Sequence, residues 1–356
     1  MAYGKTAARK GAAAKGEGLR RLKADLAAGT PRRAYIFHGE EAYLRDYYLD
    51  KLRGTLIEET FSAFNYHRVE GKELAVEDLR EMAEAMPMMA ERTLLVVADL
   101  DLFHLPEEQR GSLTSLLEDL PEWCCLVFLY DTLVWQPNRT MKKLCKAIDA
   151  CVEVVEFQAM DSRELLAWIA RRFRTLGKDI ERPTAEYLAF TCGSLCTGLI
   201  QEIEKIAAYA EGPSVTQADV DAAAEPLLTA EVFRLSDDVM KGNYDGAASR
   251  LGDLLKLETE PILILATLGS QLRRIYTARL ALDEGKDRRW LMDVWGMRSD
   301  YPAKLLFSAA RQKDRRWCAG AVRQCQELDR RMKSEAGLDA AEELKTLLVR
   351  LGAERA

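Results

Sequence analysis

The sequence contains no apolar run as long as the ~18 residues that a membrane-spanning helix needs. Histidine is scarce: there are three in 356 residues, and none lies at metal-ligand spacing from a cysteine. None of the eight cysteines belongs to a C-x-x-C pair. Because the cytosol keeps such thiols reduced, we expect buried free cysteines rather than disulfides or a metal site.

A strong basic excess is also missing. The formal net charge is −6 at pH 7, which argues against a surface covered in basic groups for nucleic acid. Residues 1–18 are locally basic and rich in alanine and glycine, and they lack the apolar core of a secretion signal. We expect this segment to form a mobile basic tail.

Residues 19–160 alternate between strand-like and helix-like segments. Strands are predicted at "AYIFHG", "FNYHRVEG", "RTLLVVADL", "WCCLVFLYD" and "VEVVEF". Continuous apolar runs are typical of strands buried on both faces, and their alternation with helices favours a parallel sheet. This part of the chain is therefore predicted to be an α/β domain.

No strand is predicted after Phe157. Residues 161–226 predict a small helical domain whose first helix is capped by Asp161 or Ser162 and ends at Gly177. Residues 227–356 predict a second helical domain, with five or six helices separated by glycine and proline. The expected fold class is α/β plus all-α.

A sheet followed by helices is common in nucleotide-binding proteins, so the turn after the first strand is informative. A phosphate-binding loop requires G-x-x-x-x-G-K-[ST], which supplies backbone N–H groups and a lysine to the phosphates. The turn here is "HGEEAYLRD", with one glycine, no lysine, and Glu40 and Glu41 where phosphates would lie. Two carboxylates at this position would repel a triphosphate.

Two further positions lack the chemistry of an ATPase. Asp99 ends the strand "LLVVAD" but is followed by leucine, not by a glutamate that could polarise water, so Asp99 and Asp101 are interpreted as ordinary loop carboxylates. The stretch Gly193-Ser194-Leu195-Cys196 lies where ATP-driven proteins of this architecture have a phosphate-sensing arginine. We predict no catalytic, cofactor-binding or metal-binding residue. An active ATPase of the same fold is the first alternative.

One loop is unusually apolar. In "EAMPMMAERTLLVV", Pro87 should end the preceding helix, and Met88 and Met89 follow it just before a buried strand. Methionine adapts to irregular apolar surfaces, and these two residues lie outside the apolar stripe of the helix. Met86 continues the stripe, so its spacing is compatible with a core position and with an exposed one.

Four segments together resemble one protein family: "AYIFHGEEAYLRDYYLDKL", "AMPMMAERTLLVV", "EPILILATLGSQLRRIYTARLALDEGK" and "ELDRRMKSEAGLDAAEELKTLLVRL". Over residues 19–352, their order and spacing resemble the delta subunit of the bacterial DNA polymerase III clamp loader. The resemblance implies an AAA+-like parallel sheet domain without a phosphate-binding loop (19–160). It also implies a small helical lid domain (161–226) and a C-terminal helical collar domain for oligomerisation (227–356).

The resemblance also implies a function in DNA replication. A delta subunit binds the ring-shaped sliding clamp (beta ring) through a hydrophobic plug and favours ring opening for loading onto primed DNA. The plug pattern falls here on Met86, Met88 and Met89, where many members have leucine and phenylalanine. The implied partners are ATPase and delta-prime-like sister subunits, met through the collar, and primed DNA in the assembled complex; no membrane is involved.

The implied protein has no catalytic site and no cofactor of its own. It is a noncatalytic subunit of an assembly with DNA-directed DNA polymerase activity, expected in the bacterial cytoplasm and associated with the nucleoid during replication. One local feature leaves a second alternative, a standalone DNA-binding protein. Residues 271–333 contain 16 Lys and Arg against 8 Asp and Glu, which is compatible with solvated helix faces, acidic sister subunits or DNA.

Overall fold

The computed structural model of the protein describes residues 16–353. The chain divides into two compact units, Met1–Ala159 and Met160–Ala356. Of the predicted tail, residues 1–15 lie outside the described residues. Glu17 and Gly18, also assigned to the tail, instead begin the first helix. Gly18 is buried against the backbone of Val154, where a Cβ atom would lie 2.1 Å from the carbonyl oxygen.

The first unit contains six α-helices and five strands among its described residues. In chain order they are α1 (Glu17–Ala28), β1 (Ala34–His38), α2 (Ala42–Leu56), α3 (Ser62–Asn65), β2 (Tyr66–Glu70), α4 (Val76–Glu84), β3 (Thr93–Ala98), α5 (Glu107–Glu118), β4 (Cys124–Leu129), α6 (Lys142–Cys151) and β5 (Glu153–Glu156). The five strands form one parallel sheet in the order β2-β3-β4-β1-β5. The predicted α/β architecture with a parallel sheet is confirmed.

The central strands β3 and β4 are buried along their whole length, as their apolar runs predict. Cys124 and Cys125 lie in different hydrophobic clusters on opposite sides of the sheet, because successive side chains of a strand alternate. All eight cysteines are free, and all are buried except Cys151, which is partly exposed. Burial raises the pKa of the Cys124 thiol to about 11, so it is protonated at neutral pH.

The second unit contains eleven helices and two short strands among its described residues. They are α7 (Ser162–Thr175), β6 (Asp179–Ile180), α8 (Arg182–Cys192), α9 (Cys196–Tyr209), β7 (Ser214–Val215), α10 (Gln217–Ala223), α11 (Leu228–Lys241), α12 (Tyr244–Lys256), α13 (Pro261–Asp283), α14 (Arg288–Trp295), α15 (Asp300–Ala310), α16 (Arg315–Ser334) and α17 (Ala340–Ala353). Within residues 16–353, no helix is both long and apolar enough to cross a membrane.

Two expectations for this unit are wrong in detail. β6 and β7 pair in parallel, although the sequence predicts no strand after Phe157. Two-residue strands are too short to show an alternating pattern. The described part of the last segment has seven helices rather than five or six, because the eight-residue α14 is separate from its neighbours. The predicted N-cap is confirmed: Asp161 accepts a hydrogen bond from the Glu164 N–H at 2.8 Å.

Candidate protein-binding site

The methionine turn, residues 85–92, connects α4 to β3. Val76, Leu79 and Ala83 of α4 are buried, which fixes the helix against the sheet. The helix ends at Glu84 rather than at Met86 as its apolar spacing suggests. Proline disfavours helical geometry at the residue before it, so Pro87 excludes Met86 from the helix. At the other end of the turn, β3 is fully buried from Thr93 onwards.

All three methionines of the turn are exposed. The exposed fractions are 79% for Met86, 54% for Met88 and 78% for Met89. Met86 therefore does not continue the buried stripe of α4, although its spacing allows a core position. The three residues predicted to bind a partner lie together on one exposed loop. Exposed apolar side chains in such a group are typical of protein interaction sites.

The backbone of the turn is fixed by Asn65, a residue that no sequence pattern singles out. Asn65 lies at the end of α3 and is fully buried. Its side-chain oxygen accepts from the Met88 N–H at 2.8 Å, and its amide nitrogen donates to the Met88 carbonyl at 2.9 Å and the Phe61 carbonyl at 3.1 Å. Asn65 and Met88 are 23 positions apart, so no local pattern could reveal their pairing.

The region where an ATPase would hold phosphate is filled by the protein's own polar groups. Glu41, directly before α2, is fully buried, and its N–H donates to the Phe157 carbonyl at 3.0 Å. One turn later, the buried Arg45 donates to the Tyr130 carbonyl at 3.0 Å and pairs with the Asp131 carboxylate. An acidic side chain and a paired arginine thus occupy the start of α2.

Asp99 is more than an ordinary loop carboxylate. Its side chain accepts from the backbone N–H groups of Asp131, Thr132 and Leu133 at 2.8 to 3.1 Å and from the Thr132 hydroxyl at 2.6 Å. Burial opposes ionisation, but these hydrogen bonds outweigh it and lower the pKa of Asp99. The carboxylate at the end of β3 therefore organises the loop that follows β4. The expectation for Asp99 is corrected accordingly.

Within the basic segment 271–333, four arginines line a cavity of about 640 Å³ between α13 and α16. We call this the arginine groove; it comprises Arg279, Arg315, Arg316 and Arg323. Arg279 pairs with Asp283, with Nε 3.1 Å from the carboxylate. The other three arginines are exposed, and no carboxylate within residues 16–353 pairs with them. The charge excess is visible in the sequence, but its concentration in one groove is not.

Comparison with known proteins agrees with this architecture. The family model "DNA polymerase III, delta subunit" matches residues 35–158, and "DNA polymerase III delta subunit, C-terminal domain" matches residues 229–351. The chain is 23% identical over 265 residues to the DNA polymerase III subunit delta of Bacillus subtilis, covering 73% of this chain and 76% of that protein. It is 21% identical over 277 residues to a probable DNA polymerase III subunit delta of Aquifex aeolicus, covering 76% and 77%.

Among solved structures, the B. subtilis DNA clamp loader delta protein (YqeN) superimposes with a TM-score of 0.55. The identity is 22%, and the match covers 94% of this chain and 99% of that one. The parallel sheet in the order β2-β3-β4-β1-β5, flanked by helices and followed by a helical region, is an AAA+-like fold. Within that class, the chain belongs to the DNA polymerase III delta subunit family.

Proposed function

We propose that this delta-family chain binds the sliding clamp through Met86, Met88 and Met89 and favours opening of the ring. The observation that supports this most directly is the exposure of all three side chains on one loop. The loop lies between a helix packed on the sheet and a fully buried strand, so the methionines project from a rigid base. A loop whose two ends are anchored by packed elements loses less entropy on binding than a free one.

The energetics suit a reversible contact. Burying one large apolar side chain contributes about 1.5–3 kcal/mol, so three give a gross value of roughly 5–9 kcal/mol. The costs of association and of ordering the side chains reduce this sum. A clamp must be bound and then released in each loading event, and a contact of this size permits both steps.

The test is a titration of the purified chain against the sliding clamp. We expect Met88→Ala/Met89→Ala to weaken the complex by about tenfold or more, since two large apolar side chains are lost. Val134→Ala is a matched control, because Val134 is 73% exposed in the same unit but lies in another loop. The unfolding midpoints of both variants should equal that of the parent. An unchanged clamp affinity of the methionine variant would contradict the proposal.

We further propose that the chain is a noncatalytic subunit and that ATP hydrolysis belongs to sister subunits of the assembly. Support comes from the buried Glu41 at the start of α2 and from the use of Asp99 to order a neighbouring loop. An ATP titration of the isolated chain with magnesium present tests this. Saturable binding would favour the alternative of an active ATPase.

Membership of the delta-subunit family also suggests the roles of the domains and the remaining partners. We propose that residues 19–160 form the clamp-binding domain, 161–226 a helical lid and 227–356 a collar that binds the ATPase and delta-prime-like sister subunits. A protein with this role works in the bacterial cytoplasm. The two family models fall on either side of the proposed lid, which supports a boundary in that region.

Primed DNA is a second proposed partner in the assembled complex, and the arginine groove is the feature that favours it. Its three arginines without a carboxylate partner supply charged N–H donors that phosphate oxygens can accept. Replacing Arg315, Arg316 and Arg323 with glutamine should weaken DNA binding by the assembled complex and flatten its salt dependence. Arg330→Gln is the control, because Arg330 lies on the same helix but already pairs with Glu327 at 2.7 Å. Equal salt slopes for all proteins would exclude this groove as a DNA contact.

A further inference from the structure

The methionine turn has almost no backbone support of its own. In the described chain, the backbone of residues 86–91 makes hydrogen bonds at Met88 alone. Met89 has a φ of 52°, a left-handed conformation that disfavours residues with a Cβ atom. A loop with one strained residue and no internal hydrogen bonds should sample several conformations unless something fixes it.

Asn65 supplies that fixation. Both polar atoms of its side chain are used, and two of its three hydrogen bonds go to Met88. The two hydrogen bonds between Asn65 and Met88 resemble those of one residue pair in a β-sheet. The Asn65 side-chain amide takes the place of the backbone of the second strand. A buried polar group without partners is costly, so Asn65 favours the one conformation of the turn that satisfies it.

The neighbouring residue points to a larger binding surface. Phe64, directly before Asn65, is a large apolar side chain that is 56% exposed. Consecutive Cα atoms lie about 3.8 Å apart, so Phe64 is one residue from the point where α3 is tied to the methionine turn. Phe64 and Met88 are thus both exposed, one directly before Asn65 in the chain and the other hydrogen-bonded to the Asn65 side chain.

We propose that Asn65 is a positioning residue for the methionine turn, and that Phe64 is a fourth apolar contact for the protein partner that the methionines bind. This inference rests on the proposed function, because the occupant of the surface is the sliding clamp. With Phe64 included, the proposed contact surface consists of two chain segments instead of one loop. Aromatic side chains are frequent among the residues that dominate protein interfaces, and Phe64 supplies one beside the flexible methionines.

A double-mutant cycle with the full chain and the sliding clamp tests the role of Asn65. Asn65→Leu removes all three hydrogen bonds at similar side-chain volume, and we expect about tenfold weaker clamp binding. In the Met88→Ala/Met89→Ala background the same change should cost less than about twofold, because Asn65 acts through residues already removed. Hydrogen exchange at the Met88 N–H should accelerate in the variant.

The cycle separates positioning from general destabilisation. A loss that is equal in both backgrounds, or no loss in either, would overturn the positioning role. If Asn65→Leu does not fold, Asn65→Asp is used in its place, because it keeps an acceptor for the Met88 N–H but loses both donated bonds. The same two outcomes decide the result for that variant.

Phe64 is tested independently. Phe64→Ala removes an exposed side chain, so the unfolding midpoint should stay constant while clamp affinity falls by about threefold or more. An affinity equal to that of Val134→Ala would exclude Phe64 from the surface. Failure of this inference is distinguishable from failure of the proposed function. If Met88→Ala/Met89→Ala binds the clamp normally, the proposed function is wrong. If that variant is impaired but Asn65 and Phe64 variants are not, only the inference is wrong.

Discussion

At the scale of single residues, Met89 combines an exposed side chain with an unfavourable backbone conformation. Its φ of 52° is uncommon for any residue other than glycine, asparagine or aspartate. The strain has no benefit for the first unit's core, because the side chain is 78% exposed. Strained conformations that stability does not require are often retained for function. The side chain and the backbone of this residue can therefore be tested separately.

We expect Met89→Asn to preserve or slightly raise stability while weakening clamp binding. Asparagine accepts the left-handed conformation at lower cost than methionine, so the turn should keep its shape. The apolar side chain is nevertheless lost. Denaturant unfolding and clamp titration of the same preparation give both quantities. A variant that is destabilised by more than about 1 kcal/mol would show that the Met89 side chain supports the fold.

Asp99 should make the stability of the protein depend on pH. In the folded state, the hydrogen bonds that Asp99 accepts lower the pKa of its carboxyl group below the ordinary value of 3.8. The folded state therefore binds fewer protons than the unfolded state as pH falls through this range. The stabilisation is present above the unfolded pKa and disappears as pH decreases through the folded pKa.

We expect Asp99→Asn to lose stability at neutral pH and to show a shallower decline on acidification below about pH 4. Asparagine is uncharged and has only one side-chain oxygen. It therefore cannot accept all the hydrogen bonds that the backbone N–H groups of residues 131–133 donate to the Asp99 carboxylate. Urea unfolding of both proteins at a series of pH values provides the comparison. Parallel stability curves would mean that this carboxylate does not contribute to acid unfolding.

At the scale of elements, the approach of α1 to β5 depends on Gly18. A Cβ atom on Gly18 would lie 2.1 Å from the Val154 carbonyl oxygen, and backbone cannot move aside as a flexible side chain does. Gly54 in α2 offers the opposite case, since no neighbouring atom would lie within 4 Å of a Cβ added there. The two glycines are thus in similar elements of one unit but under different constraints.

We expect alanine to have opposite effects at these two positions. Gly18→Ala should destabilise the protein by about 1–3 kcal/mol, because α1 must separate from the sheet edge. Gly54→Ala should stabilise it by about 0.5–1 kcal/mol through its higher helix propensity. Thermal or denaturant unfolding measures both. A stable Gly18→Ala variant would show that α1 is not tightly packed on β5.

The helices and strands also differ in how far sequence patterns predict them. Buried strands such as β3 and β4 are predictable because long apolar runs indicate burial on both faces. The apolar spacing of α4 places its end two residues late, because Met86 fits the stripe while the effect of Pro87 on its neighbour is stronger. β6 and β7 are not predictable in this way, because their pairing depends on tertiary contacts rather than on local pattern.

Some residues of the candidate site can likewise be predicted from the sequence, and others cannot. Met88 and Met89 can be selected from the sequence because apolar residues after a proline are unexpected in a turn. Asn65 and the proposed contact residue Phe64 cannot, since the relevance of both depends on the hydrogen bonds of Asn65 to a loop 23 residues away. The arginine groove is similar: the charges are visible in the sequence, but their convergence requires the packing of α13 against α16.

At the scale of the whole molecule, the proposed functions fall in different compact units. The methionine turn belongs to Met1–Ala159, and the helices proposed to bind sister subunits belong to Met160–Ala356. Each unit has its own hydrophobic core, so a surface change in one should leave the other folded. Clamp binding and assembly of the clamp loader should therefore be separable by mutation.

We expect a chain with Met88→Ala/Met89→Ala to assemble with its sister subunits normally but to yield a complex that loads clamps poorly onto primed DNA. In the proposed function, assembly depends on the second unit, whereas loading requires the clamp contact of the first. Size-exclusion chromatography of the reconstituted complex measures assembly, and a clamp-loading assay on primed DNA measures the function. A complex that fails to assemble would show that the methionine turn serves subunit contacts instead. Normal loading by an intact complex would mean that the clamp is bound elsewhere on the assembly, because in that case the exposed methionines are dispensable for the step they are proposed to perform.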